Sequence, residues 1–127
     1  MSNRSQILTV KSEPFDLSNS VATAVLTSKY FETDVRFPYW SLTLSTTTVG
    51  ATISVKIYAS NEVTQSDLTL REYVDVTSDL YGGAINLTSL AAIALAVDTP
   101  LLYDSYRVDF DSDIAAVWTA RGKKGTV

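Results

Sequence analysis

Histidine and cysteine are absent from this 127-residue chain. Their absence removes the commonest proton shuttle and metal ligand, the thiol nucleophile and any disulfide framework. No serine can be activated in a Ser–His–Asp arrangement, and no Gly-x-Ser-x-Gly turn occurs. Glycine is scarce, with five residues. The one adjacent pair, Gly82-Gly83, has no phosphate-loop context around it and reads as a turn. No apolar run reaches the roughly 18 residues of a membrane-spanning helix. Residues Met1 to Gln6 lead into only a short apolar stretch, without a signal-peptide core or a small-residue processing site. The expectation is a soluble protein made in the cytoplasm, with no membrane partner. Positive charge is also in deficit, 10 basic against 14 acidic residues for a net charge of −4, so there is no field to attract phosphates and no nucleic-acid partner is expected.

What the chain has is alternation. Ile53, Val55 and Ile57 alternate with Ser54, Lys56 and Tyr58. Trp40, Leu42 and Leu44 alternate with Ser41, Thr43 and Ser45, and Tyr106, Val108 and Phe110 with Arg107, Asp109 and Asp111. Apolar residues at every second position bury one face of a strand and wet the other. The segments 39–46 and 53–60 read as a hairpin through the turn Thr46 to Gly50. A further strand is expected over Leu70 to Thr77. Ser18 to Leu26 reads as a strand with Val21, Thr23 and Val25 on one face, and Ile7 to Val10 as a short β-prone segment ended by Pro14. The alanine-rich stretch Leu87 to Val97 reads as a short helix, with a stripe of Leu90, Ile93, Ala94 and Val97 and with Pro100 just past its end. A buried strand is the rival there. The last strand is expected over Ile114 to Thr119.

Together these segments predict an all-β antiparallel sandwich, jelly-roll-like, of about eight strands with at most one short helix. At this length one domain is expected, over residues 1–120. Residues 121–127 read as a flexible basic tail in which Arg121, Lys123 and Lys124 stand among glycines, after a stretch where acids dominate. Such a tail suits pairing with an acidic neighbour, and these three residues are the expected subunit contacts.

The acids suggest chemistry at two places. Asp109-Phe110-Asp111-Ser112-Asp113 places an acid at every second position, a spacing at which oxygen ligands can converge on calcium. An EF-hand loop would need glycine where Ile114 stands and glutamate where Ala120 stands, so the better reading is the wet end of a strand. Paired carboxylates could serve a glycosidase, which needs two acids about 5 to 9 Å apart, yet nothing singles out two of them. No cofactor, no metal and no enzymatic activity is expected. A second functional class comes from the aromatics. Tyr58 and Tyr73 fall on the polar registers of their strands and could form a stacking platform for a sugar, although tyrosine on a wet face ordinarily packs across strands.

Four stretches carry a resemblance. Ile53 to Glu62, reading Ile-Ser-Val-Lys-Ile-Tyr-Ala-Ser-Asn-Glu, is followed by a polar loop, by Tyr73-Val74-Asp75-Val76-Thr77, by a late strand over Tyr103 to Val108, reading Tyr-Asp-Ser-Tyr-Arg-Val, and by a Gly-Lys-Lys-Gly ending. This text, over roughly residues 40–125, resembles small virion proteins of bacteriophages. It departs from the commonest form in having Tyr73 where a tryptophan often precedes Asp-Val-Thr. The resemblance implies a sandwich or jelly-roll building block of a capsid, decoration layer or tail. It also implies partners that are other virion proteins and itself, in a symmetric oligomer for which a trimer is expected. The alternative is a non-catalytic carbohydrate-binding module using Tyr58 and Tyr73.

Overall fold

The computed structural model describes residues 12–33, 37, 39–97 and 103–125. The strands are β1 (Ser12–Asp16), β2 (Asn19–Thr23), β3 (Thr27–Glu32), β4 (Tyr39–Ser45), β5 (Ile53–Ser60), β6 (Val74–Asp75), β7 (Ile85–Leu87), β8 (Ile93–Val97), β9 (Ser105–Ser112) and β10 (Ala116–Gly125). Among the described residues a single 3-10 turn (Leu68–Leu70) and one short helix, α1 (Thr77–Tyr81), lie between β5 and β7. The alternation seen in the sequence becomes two facing sheets. Leu42 and Leu44 of β4, Ile53, Val55 and Ile57 of β5, and Tyr106, Val108 and Phe110 of β9 are all buried.

One sheet runs β1-β10-β4-β8, with β2 also on β10, and the other runs β3-β9-β5-β6, with β7 also on β5. Every pairing is antiparallel. β1 and β2 are two halves of one edge along β10. They are separated by a bulge at Leu17–Ser18, where Leu17 N–H donates to the Ala120 carbonyl at 2.7 Å and Ala120 N–H to Ser18 Oγ at 2.9 Å. β6 and β7 are likewise two halves of one edge along β5. Counting each interrupted pair once leaves eight strands, ordered first-eighth-third-sixth and second-seventh-fourth-fifth, which is the jelly roll.

The break between β6 and β7 is closed chemically. Ile57 N–H donates to Thr77 Oγ1 at 2.8 Å, and the Ile57 carbonyl accepts from Val76 N–H at 2.9 Å and from the Thr77 hydroxyl at 3.3 Å, so the Thr77 side chain supplies the acceptor that the broken ladder lacks. Asp75 Oδ1 accepts from Thr77 N–H at 2.9 Å at the entry to α1, and Gly82, at φ 82°, ends the helix in the left-handed conformation that glycine adopts without strain.

Aromatic rings fill the core in two groups. Phe15 stacks on Phe31 at 4.3 Å, Phe31 stacks on Tyr106 at 5.0 Å, and Trp40 meets both Phe31 and Tyr106 edge-on. At the other half Phe110 stacks on Trp118 at 4.7 Å, and Trp118 Nε1 donates to the Leu17 carbonyl at 3.1 Å. Phe15 reaches its partner because β10 carries glycine opposite it. A Cβ on Gly122 would stand 2.1 Å from Phe15 Cζ.

Several sequence expectations change. Segments 39–46 and 53–60 are not a hairpin: β4 pairs with β10 and β8, and β5 with β9, because the intervening loop carries the chain from one sheet to the other. Leu87 to Val97 is not a helix. Its end is β8, where Leu95 is buried and Ala94 and Ala96 face outward against β4, and this pairing overrides the helical preference of alanine. Leu70 to Thr77 is strand only at Val74–Asp75, and the helix falls just after it. Ser18 to Leu26 splits into β2 and a turn, so Val21 and Val25 do not share one strand face, and both are exposed, at 74% and 73%. The last strand runs to Gly125, so residues 121–125 are an interior strand held by β1 and β4, not a free tail. Ile7 to Val10 lies outside the described residues.

Candidate interaction surfaces

Jelly-roll connectivity gathers four loops at one end. Thr23 pairs with Ala116, Ser45 with Thr119, Ile93 with Leu44, Thr27 with Phe110, and Ile53 with both Ser112 and Leu87. The loops 24–26, 46–52, 88–92 and 113–115 therefore leave the sandwich together. Each presents an aliphatic side chain to solvent: Val25 and Leu26, Val49, Leu90 at 93% exposure, and Ile114. The only charged residue in these loops is Asp113, and its carboxylate accepts from Thr52 N–H at 2.8 Å. The end is thus an apolar, nearly uncharged crown.

Hydroxyl side chains fix the crown loops. Val25 N–H donates to Thr23 Oγ1 at 3.2 Å, Leu90 N–H to Thr88 Oγ1 at 3.4 Å, and the Ser112 hydroxyl donates to the Ile114 carbonyl at 2.7 Å. In each case a serine or threonine two residues before the aliphatic forms a local turn and points it away from the core. The fourth loop is tied to β10: the Thr46 hydroxyl donates to the Val117 carbonyl at 2.6 Å and Val117 N–H donates to Thr48 Oγ1 at 3.1 Å. Sequence reasoning assigned Val25 and Leu90 to a strand face and a helix stripe. The recurring Ser/Thr-x-aliphatic spacing was the available signal for their true role.

The three cations expected to act together are divided by the pleat of β10. Arg121 and Lys123 are exposed on the outer face of the first sheet, in rows with Asp16 and Thr43 and with Pro14 and Ser41. Lys124 points the other way. Its Nζ donates to the Glu32 carbonyl at 2.7 Å and lies 3.8 Å from Glu13 Oε1, tying the edges of the two sheets together. Arg121 also lines an open polar cleft of about 550 Å³ beside the β1–β2 bulge, with Asp16, Ser18, Asn19, Thr47 and Thr119. Hydrogen bonds from Ser18, helped by the nearby Arg121 charge, hold the Asp16 carboxyl below its usual range.

Tyr58 and Tyr73 do come together, on the outer face of the second sheet, but their rings are engaged by Arg107. Its guanidinium lies 4.2 Å from the Tyr58 centroid and 5.4 Å from that of Tyr73, while its Nε donates to Asp109 at 3.0 Å. Ser28 donates to the same carboxylate at 2.7 Å, and the Tyr73 hydroxyl donates to the Leu68 carbonyl at 2.9 Å. This is a cross-strand clasp that pins the 61–73 loop to β9 and β5. The other acids of the 109–113 run are apart in role: Asp111 is exposed on β9 and Asp113 anchors the crown. Among the described residues no group of three or more acids gathers as a metal site would.

No protein-family model matches the sequence, and neither does any curated protein sequence. Solved structures are similar only at low identity. A protein of Bacillus endospore appendages, a family of disulfide-linked pili, aligns at 13% identity over 94% of this chain and 89% of the other, with a TM-score of 0.48. Proteins of the infectious bursal disease virus Gx and Gt strains align at 12% and 10% identity over 92% and 93% of this chain, with TM-scores of 0.45 and 0.41. This chain spans 32% of the length of either viral protein.

Proposed function

We propose that the chain is a structural building block of an assembled particle, a capsid, decoration or tail component of a bacteriophage virion, that acts through subunit–subunit contacts and not through catalysis. A jelly roll by itself hosts many functions, so the reading has to come from a site. The observation that carries it is the crown. Five exposed aliphatic side chains on four loops converge at one end, with a single charge that is already paired. Exposed aliphatic side chains gathered at one end mark an interaction site, and the absence of lysine and arginine from these loops disfavours an anionic membrane as its target.

The occupant is another copy of the chain. Burying aliphatic side chains at about 1.5 kcal/mol each supplies roughly 7 kcal/mol per crown, against a rigid-body association cost on the order of 4 to 15 kcal/mol. One such contact is marginal, so a closed ring in which every subunit is held on two sides is the economical arrangement, with a trimer as the expected order. Arg121, which lines the cleft, and Lys123, exposed on the same face of β10, are the proposed electrostatic contacts to an acidic neighbour, itself a virion protein or another copy; Lys124 is already engaged within its own subunit. Synthesis in the host cytoplasm and residence in the virion follow from this reading and from the sequence resemblance.

The test is the double substitution Val49→Ser and Leu90→Ser. Both side chains are more than four-fifths exposed, so the fold should keep its thermal midpoint while the closed oligomer seen by size-exclusion chromatography breaks down to a species no larger than a dimer. An unchanged elution volume with the crown removed would overturn the reading.

A further inference from the structure

A sheet edge is an unsatisfied row of backbone donors and acceptors, and natural edges are blunted by charge, proline, bulges or cover. Among the described residues the edges of this sandwich are blunted with one exception. β1 carries Glu13, Pro14 and Asp16. β2 follows the bulge, and its Val21 N–H is turned onto the Asn19 side chain at 3.2 Å. β3 carries Lys29 and Glu32, and the β6–β7 edge is broken by α1. β8 has none of these devices. It reads Ile93-Ala94-Leu95-Ala96-Val97, five uncharged residues, all of them paired with β4. Among the described residues no backbone hydrogen bond outside the sheets involves them.

The same flank of the sandwich adds apolar surface. Ile93 and Val97, at the rim, are only half-covered and share their packing with Leu80 of α1. Tyr81 of α1 and Val74 of β6 are 44% and 68% exposed. An edge that is apolar and uncharged is also self-complementary. A second copy brought up antiparallel across a two-fold axis meets the same five residues with no like charges opposed, whereas copies of β1 or β3 would bring their own charges to the contact.

We propose that β8 is a second interface, at which two copies join edge to edge and run the first sheet of one subunit into that of the other. It shares with the reading above only the premise that copies of this chain meet, and it uses a surface on the flank, distinct from the crown. The occupant is β8 of the partner and not a strand from elsewhere, because pairing two identical neutral edges satisfies both orphaned rows at once. The rim residues Ile93 and Val97 would then extend one apolar inner face across the junction. Ring closure through the crown and two-fold joining through β8 would together link rings into a larger shell or layer.

The chain has no native thiol, so introduced cysteines report without interference. Ala94 and Ala96 face outward, and facing residues of antiparallel strands stand about 4.5 to 5.5 Å apart at Cα, within reach of a disulfide. In the full chain carrying Ala94→Cys and Ala96→Cys, mild oxidation should give a covalent dimer for any register centred on residues 94 to 96. Val21→Cys, exposed on a protected edge, should not. Separately, Ala96→Lys should weaken two-fold dimerisation at least ten-fold by sedimentation while leaving the circular dichroism unchanged. The crown variant Val49→Ser with Leu90→Ser should still cross-link through residues 94 and 96, which separates the two interfaces. Cross-linking no greater than that of Val21→Cys, or an Ala96→Lys protein that dimerises as tightly as the parent, would overturn the proposal while leaving the crown reading standing. If cross-linking failed and Leu8→Lys lowered the assembled mass, the edge would belong to a neighbour's N-terminal segment and the proposal would likewise be wrong.

Discussion

Replacing Gly122 with alanine should eject Phe15 from the core. The added Cβ would lie 2.1 to 2.6 Å from three atoms of the Phe15 ring. No rotation of the methyl relieves this, because the clash is with Cβ itself, and β10 cannot retreat while β1 and β4 hold it on both sides. The ring must therefore leave its stack on Phe31, 4.3 Å away. Phe15 is half-buried, so the lost burial is worth about 1.5 kcal/mol and the lost ring pair about 1 kcal/mol. The expected destabilisation is roughly 2.5 kcal/mol, or about 10 °C in thermal midpoint for a chain of this size. Urea denaturation followed by Trp fluorescence measures it, and hydrogen exchange should show β1 opening first. The argument has an internal control. If the ring is the only obstacle, Gly122→Ala should cost less than about 0.5 kcal/mol in a protein that already carries Phe15→Ala. A neutral Gly122→Ala, or an equal cost in both backgrounds, would refute the reasoning.

Thr77→Val should cost about 1 to 3 kcal/mol, because it leaves the buried Ile57 N–H without its acceptor while the Ile57 carbonyl keeps the Val76 N–H at 2.9 Å, whereas Thr77→Ser should stay close to the parent in the same urea titration. Acid should weaken the fold in a defined window. The carboxyls of Asp16 and Asp75 sit below their usual range because of hydrogen bonds from Ser18 and Thr77, so their contribution is complete above the unfolded value near 4 and disappears as pH falls through the lowered folded values. Thermal midpoints should be flat from about pH 7 to 5 and fall below about pH 4, with a shallower fall in Asp75→Ala. At the alkaline end burial pushes the Tyr106 phenol above its ordinary value, so ionising it favours unfolding and stability should decline as pH rises past about 10.

The strands with strict alternation were legible in the sequence, because β4, β5 and β9 lie inside their sheets and each must bury one complete face. Segments at the edges were not. β8 has too few residues and too many alanines to distinguish a strand from a helix before its partner β4 is known. The β6–α1–β7 edge depends on a single Thr77 hydroxyl standing in for backbone, which no periodicity can reveal. Arg121 to Lys124 looked like a tail because glycine and lysine are poor strand formers; in fact Gly122 is demanded by the Phe15 ring across the sheet, and Lys124 is drawn inward by Glu32 and Glu13. The surfaces were harder still. Val25, Val49, Leu90 and Ile114 are far apart in the chain, and only the jelly-roll connectivity places them at one end. Tyr58 and Tyr73 read in the sequence as a candidate sugar platform on polar registers, and the Arg107 guanidinium lies against both rings, a contact that no strand periodicity displays.

The central claim is that this jelly roll exists to assemble with copies of itself through its nearly uncharged apolar end. Its most direct test is the solution mass of the purified wild-type protein by multi-angle light scattering across a hundred-fold range of concentration. The account predicts a trimer or a larger closed oligomer that dissociates on dilution. A monomer at every concentration would contradict it.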